Sequence, residues 1–194
     1  MLKCLQKFKK LLTVALIVIV AVCFSACGSS PEDKAKDAVD SGFKALKDNN
    51  YDEVEKYIAD FDSDVLTKGM EGFSKEQTKE FFNSFFLNFD YKIKDAKKKD
   101  DETVIVTVEV TNTDMKKVSE KWQKKIMSIA MENLDKSEKE LMKLALKEFT
   151  KEVKESKDTV TNEINLKVKK GKDNWQLKPT DEQINKIMGG FPGN

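Results

Sequence analysis

Phe89-Asp90-Tyr91-Lys92-Ile93-Lys94 and, beyond a charged run, Val104-Ile105-Val106-Thr107-Val108-Glu109-Val110 decide the fold. In both segments bulky apolar residues recur at every second position, the period at which a strand presents one face to a core. Between them Lys97-Lys98-Lys99 is answered at once by Asp100-Asp101-Glu102. That pattern reads as the solvated tip of a β-hairpin. A basic patch for anionic lipid head groups is the other reading of the three lysines.

The same period returns near the C-terminus. Val160, Ile164, Leu166 and Val168 share one face, Lys170-Gly171-Lys172-Asp173-Asn174 turns the chain, and Trp175 and Leu177 begin a partner strand. The rest of the chain has helical spacing. Glu32 to Lys47 carries Ala35, Ala38, Val39, Phe43 and Leu46 on one stripe; after the Asp48-Asn49-Asn50 turn, Tyr51 to Ala59 turns Val54, Tyr57 and Ile58 inward. Ser74 and Gln77 form a capping box ahead of Phe81, Phe82, Phe85 and Phe86, which reads as a buried helix.

Between the two hairpins, residues 114–155 repeat apolar side chains from Val118 and Trp122 through Phe149 and Val153. The stripe breaks near Asp135, where Ser137 and Glu140 offer a second capping box, so two packed helices are predicted instead of one rod. Thr180 and Gln183 cap a last helix bearing Ile184, Ile187 and Met188, closed by Gly189-Gly190. The expected fold is α+β: a curved antiparallel sheet of about four strands packed on N-terminal helices, with a helical insert at 114–155, all within one domain over 32–190.

The N-terminus has a different character. Lys3, Lys7, Lys9 and Lys10 form a basic start without an acid, Leu11 to Ala26 is uncharged and mostly apolar, and Ser25-Ala26-Cys27 closes the run. This is the tripartite pattern of an export signal. Its ending, Phe24-Ser25-Ala26-Cys27, resembles the bacterial lipobox, although Phe24 stands where an aliphatic residue is usual. The resemblance implies a signal peptide over residues 1–26, a diacylglyceryl group on Cys27, and a flexible tether over 27–31. An uncleaved membrane helix is the competing reading, since Leu11 to Pro31 would rise about 30 Å. The small residues before Cys27 and the polar Gly28-Ser29-Ser30 after it favour cleavage. The expected location is the outer face of the cell membrane, reached through the N-terminal lipid.

Composition narrows the chemistry. The 194 residues contain no histidine, so no imidazole base, no Ser-His-Asp triad and no histidine-ligated zinc site can be built. Cys4 and Cys23 fall inside the signal and Cys27 carries the lipid, which removes thiol catalysis and any disulfide. Cleavage removes four lysines, leaving 31 lysines against 34 acids. That balance is no footprint for nucleic acid. No cofactor and no metal are expected: Asp60-Phe61-Asp62-Ser63-Asp64 alternates acids but lacks the glycine and terminal glutamate of a calcium loop.

Helix, Lys47-Asp48-Asn49-Asn50-Tyr51-Asp52 turn, second helix, then strands ending in Asp173-Asn174-Trp175-Gln176-Leu177 resembles the nuclear transport factor two-like, or cystatin-like, α+β roll. In particular it is similar to uncharacterised lipoproteins of Gram-positive bacteria that carry such a roll behind a lipobox. The long helical insert departs from that pattern. The resemblance implies a curved sheet with an apolar pocket, for which Tyr57, Tyr91, Trp122 and Trp175 are the candidate lining; filling the core is their plainer role. Asp90 and Tyr91 point to opposite faces of a strand and make a poor acid–base pair. Met115, Met127, Met131 and Met142 gather in the insert, where flexible thioethers suit either an irregular core or an adaptable binding surface.

The function expected is therefore a non-enzymatic binding domain for a small apolar ligand, a peptide or an envelope protein. A small pocket enzyme of the isomerase or hydrolase type, using carboxylate or tyrosine chemistry, is the alternative. One outcome tests the anchor directly: Cys27→Ala leaves an unprocessed precursor, whereas the wild-type N-terminus carries acyl mass on Cys27. Mass spectrometry showing an intact Met1 start in the wild type would defeat the lipoprotein reading.

Overall fold

The computed structural model describes residues 29–64, 68 and 73–192; the expected signal peptide and Cys27 lie outside them. Among the described residues are six helices and one sheet: α1 (Pro31–Lys47), α2 (Tyr51–Tyr57), α3 (Lys75–Ser84), β1 (Asp90–Asp100), β2 (Thr103–Thr113), α4 (Met115–Glu132), α5 (Glu138–Glu155), β3 (Thr159–Lys170), β4 (Trp175–Leu177) and α6 (Asp181–Ile187). The sheet order is β1-β2-β3-β4 with every neighbour antiparallel, giving the expected α+β class. The insert divides at the predicted break into α4 and α5.

Every described helix starts on a side chain that accepts from its first turn: Ser30, Asn50, Ser74, Asp114, Ser137 and Thr180. At Ser74, Ser137 and Thr180 the reciprocal bond from Gln77, Glu140 and Gln183 completes the box expected from sequence. Ser30 and Asp33 form a further box that fixes the start of α1.

The main core lies between α1 and one face of the sheet. Val104, Val106, Val108 and Val110 of β2 meet Val39 and Phe43 of α1, with Ile164, Leu166 and Val168 from β3 alongside. Trp175 and Leu177 close that edge, both buried. A second cluster, formed by Phe85, Met115, Val118, Phe149 and Val153, joins α3 to the base of the insert.

Three local expectations change. Lys97, Lys98 and Lys99 are not the hairpin tip; they lie inside β1, and the turn falls on Asp101 and Glu102. The ladder runs on through Lys97↔Ile105 and Lys98↔Val104 to Asp100↔Thr103, with one-residue shifts between Ile93 and Asp95 and between Lys98 and Asp100. Strict alternation after Tyr91 and Ile93 would send Asp95 into the core, and the bulge puts Ala96 opposite Val106 instead. The four phenylalanines do not form a buried helix: α3 ends at Ser84, Phe85 is buried, and Phe81, Phe82 and Phe86 are only partly covered. Finally, α2 stops at Tyr57 because Ile58 leaves the helix to bridge Leu177, and the Ala59 amide donates to the Leu177 carbonyl at 2.9 Å.

One joint holds the elements at the insert end of the sheet. Asn112 is buried; its Nδ2 donates to the carbonyls of Phe85 and Ile187, each at 2.9 Å, and its Oδ1 accepts from the Thr113 amide at 2.7 Å. Next to it the Met115 amide donates to the Gly189 carbonyl at 3.0 Å. Gly189 has φ +89, and an added Cβ would stand 1.9 Å from the Thr113 carbonyl oxygen. Gly190 has φ +78 with open space around it. Gly190→Ala should therefore cost about 1–2 kcal/mol, the left-handed penalty alone. Gly189→Ala adds a backbone clash and should cost roughly 3–5 kcal/mol. Denaturant midpoints of the two variants check the order; equal losses would contradict the close approach.

Candidate functional site

The insert leaves the sheet where the Asp114 amide donates to the Asp158 carbonyl at 2.9 Å. On α4 the residues Ser119, Trp122, Ile126, Ile129 and Ala130 recur at helical spacing, and on α5 Leu141, Ala145 and Phe149 do the same. Two antiparallel helices joined by a short loop bring these stripes together. At the base they are well packed. Trp122 meets Phe149 edge-on with ring centres 5.7 Å apart, Phe149 stacks on Phe191 at 6.0 Å, and Trp122 Nε1 donates to the Ala145 carbonyl at 2.9 Å.

Ion pairs hold one flank. Lys125 Nζ donates to Glu148 Oε1 at 2.8 Å and also to Glu152, and those bonds raise the lysine pKa while holding Glu148 below the usual carboxylate range. Lys117 and Lys121 clamp Asp158 at 2.9 and 3.5 Å, and the bond from Lys117 lowers its pKa. Glu152 is buried and Glu148 largely covered, whereas the Asp158 pairs are more open to solvent, where such pairs steer the helices more than they stabilise them.

The other flank is open. A cleft of about 670 Å³ runs between the helices, floored by Phe81, Phe149 and Phe191, and Glu138 is the one charged residue among those lining it. Toward the far end of the insert burial fails. Only Met115, Val118 and Ser119 of the 18 residues of α4 are buried. Met127 is 62% exposed, Met131 69%, Leu134 86% and Met142 53%. Among the described residues no third layer covers these positions, so their apolar side chains stay exposed, Met142 at the lining of the cleft itself.

The structure distributes the sequence-predicted lining residues between two places. Tyr57 and Tyr91 are partly buried against the main core, and Trp175 belongs to it. Trp122 alone of the four lines the cleft. Tyr91 Oη donates to Asp40 Oδ1 at 2.9 Å, and burial with that bond raises its pKa, so the phenol is engaged in tying β1 to α1. Tyr51, more deeply placed, is pushed up to about 12 by burial. In the acidic turn, Asp62 Oδ1 accepts from the Asp64 amide and Glu55 Oε1 from the Ser63 amide, both at 2.8 Å. Among the described residues no group of three or more acids or thiols is arranged to hold a metal, and no helix is long and apolar enough to cross a membrane.

Leu141, Ile126 and Ile129 were legible as stripe residues but not as cleft lining. The available signal was excess: Met127, Met131 and Leu134 are apolar positions beyond the single stripe that a helix of a two-helix hairpin can bury.

No known family model matches the sequence, and no curated protein matches it either. One solved structure is similar: a protein described as a "putative lipoprotein (ycdA) from Bacillus subtilis subsp. subtilis str. 168", 19% identical, with a TM-score of 0.46. The match covers 77% of this chain and 44% of that one, so the chain spans less than half the length of that protein.

The carboxylates held low by lysines set an acid limit. Asp90, bonded to Lys47 at 2.9 Å, is lowered by it, as Glu148 and Asp158 are by their lysines. Each contributes stability that is fully present above the ordinary carboxylate range of about 4 and is lost as pH falls through the lower folded value. The thermal midpoint should be flat from pH 8 to 5 and fall between pH 4 and 3. Lys125→Met should shrink that fall. An unchanged midpoint at pH 3 would mean the pairs contribute nothing.

Proposed function

We propose that this chain is a lipid-anchored, non-enzymatic binding protein on the outer face of the cell membrane, whose helical insert is a docking surface for a protein partner. The observation that carries the reading is the apolar face of α4 and α5, left half-exposed from the cleft to Met127, Met131, Leu134 and Met142. An exposed patch of this kind, rimmed by charge, is what a soluble domain avoids unless something covers it. Its open side and methionine rims suit an amphipathic helix better than a small molecule, which needs enclosure on most of its surface. The export signal ending in Cys27 supports the location. The curved sheet wrapped on α1 is read as a cystatin-like roll that serves as a rigid mount, since its core-facing side is filled by side chains.

Thiol labelling of intact cells tests location and docking together. Full-length chains carrying Met131→Cys or Thr161→Cys, both at exposed positions, are treated with a membrane-impermeant maleimide. Thr161→Cys should label readily in intact cells and Met131→Cys at least fivefold more slowly, with the rates equal in urea. Equal rates in cells would remove the docking surface. Labelling of neither until lysis would remove the outer-face location.

A further inference from the structure

Helix α5 carries a second feature, on the side turned away from the cleft. Lys139, Lys143, Lys147 and Lys151 stand at every fourth position of the helix, all of them exposed. At about 1.5 Å of rise per residue they form one inclined row, with an ammonium roughly every 6 Å over roughly 18 Å. The neighbouring acids are engaged elsewhere: Glu148 and Glu152 turn to Lys125 on α4, Glu80 of α3 takes Lys154 at 2.5 Å, and Glu140 closes the capping box with Ser137. Among the described residues Lys139, Lys143 and Lys147 make no ion pair, and Lys151 reaches only Glu148, at 4.0 Å. Like charges four residues apart destabilise a helix unless an anion lies between them. The row borders a groove of about 660 Å³ between α3 and α5, into which Leu144 and Leu146 bring apolar surface and whose C-terminal end is lined by Glu155. Thr150 lines the same groove; it is only 8% exposed, and its hydroxyl has no hydrogen-bond partner among the described residues. A covered hydroxyl left unpaired costs free energy that a ligand oxygen would recover.

We propose that this groove binds a linear polyol phosphate polymer, laid along α5 with one phosphate to each helical turn. The site is separate from the apolar docking face and depends on neither that face nor the anchor. Residues 27–194 carry 31 lysines against 34 acids, so attraction to a polyanion is local to the row and not a property of the whole chain. Lysine binds a phosphate oxygen as a point charge, without the planar fit that a guanidinium imposes, and a threonine hydroxyl donates to phosphate oxygens as well. Leu144 and Leu146 meet the carbon atoms between the phosphates. An extended acidic peptide is the poorer occupant, because it gains affinity through main-chain hydrogen bonds and the two helices lining the groove spend their own amides internally. Single-stranded nucleic acid is poorer still, because its grip rests on successive stacked bases and Phe73 is the one aromatic residue in the lining.

The test titrates short poly(glycerol phosphate) into the full chain in neutral detergent, by calorimetry at about 50 and about 200 mM salt, the range over which phosphate contacts weaken most visibly. Lys143→Gln combined with Lys147→Gln should weaken binding roughly tenfold and lower the salt slope by about 1 for each lysine removed. Both side chains are exposed and unpaired, so the thermal midpoint should not move. Lys167→Gln combined with Lys169→Gln removes the same charge from exposed positions on β3 and should change the affinity less than about twofold. Thr150→Val keeps the shape and removes the donor; it should weaken binding several-fold without lowering the thermal midpoint, whereas a hydroxyl with a structural role would lower it. If Thr150→Val does not fold, the lysine pair decides. Absence of binding at the lower salt overturns the proposal, as does an equal loss in the β3 variant. Poly(glutamate) or single-stranded DNA of matched charge binding as tightly as the polyol phosphate also overturns it, and assigns the groove to that class instead.

Discussion

Everything else in the structure is arranged around the burial of one strand. Val104, Val106, Val108 and Val110 of β2 are at most 1% exposed, covered by α1 and flanked by β1 and β3 along almost their whole length. Burying a valine side chain contributes about 1.5–3 kcal/mol before the cost of ordering is subtracted. Because β2 is paired on both edges, its β-branched residues have fixed neighbours across each strand. The helix α1 has to lie on that face, and the capping box at Ser30 with the Lys47–Asp90 pair fixes its two ends.

From this rigid plate the insert projects by way of a small polar joint. Asn112 satisfies carbonyls from the end of α3 and from α6, and Gly189 comes so close to Thr113 that no side chain fits. A buried amide whose bonds are all made specifies the geometry of its surroundings more sharply than packing alone does. The insert is mounted firmly at its base, through Met115, Val118, Phe149 and Val153, and poorly covered beyond it. Stability is concentrated at the mount, and the exposed apolar surface at the far end.

The elements were legible in the sequence to the extent that their signals are local. The valine alternation, the capping boxes at Ser74, Ser137 and Thr180, and the break near Asp135 each depend on residues within a few positions of one another. The Lys97-Lys98-Lys99 run was misplaced because the ladder continues past the last large apolar residue to Asp100↔Thr103, and a bulge that seats Ala96 opposite Val106 keeps Asp95 out of the core on the way. The extent of phenylalanine burial in and after α3 depends on how far α5 and Phe191 cover that helix, which no periodicity reports. Likewise Trp122 and Trp175 read alike in sequence, yet one lines the insert cleft and the other fills the sheet core.

By itself the sequence determined the α+β class, the order of helices and hairpins and the presence of a helical insert. Those properties follow from residue type and spacing, which act over a turn or a strand pair. Only the tertiary structure decided that the insert starts at the end of the sheet remote from the first turn of α1, and that among the described residues no third layer covers its apolar stripes. That is a matter of which surfaces run out of neighbours, and surface left uncovered is a property of the assembled chain, not of any segment in it.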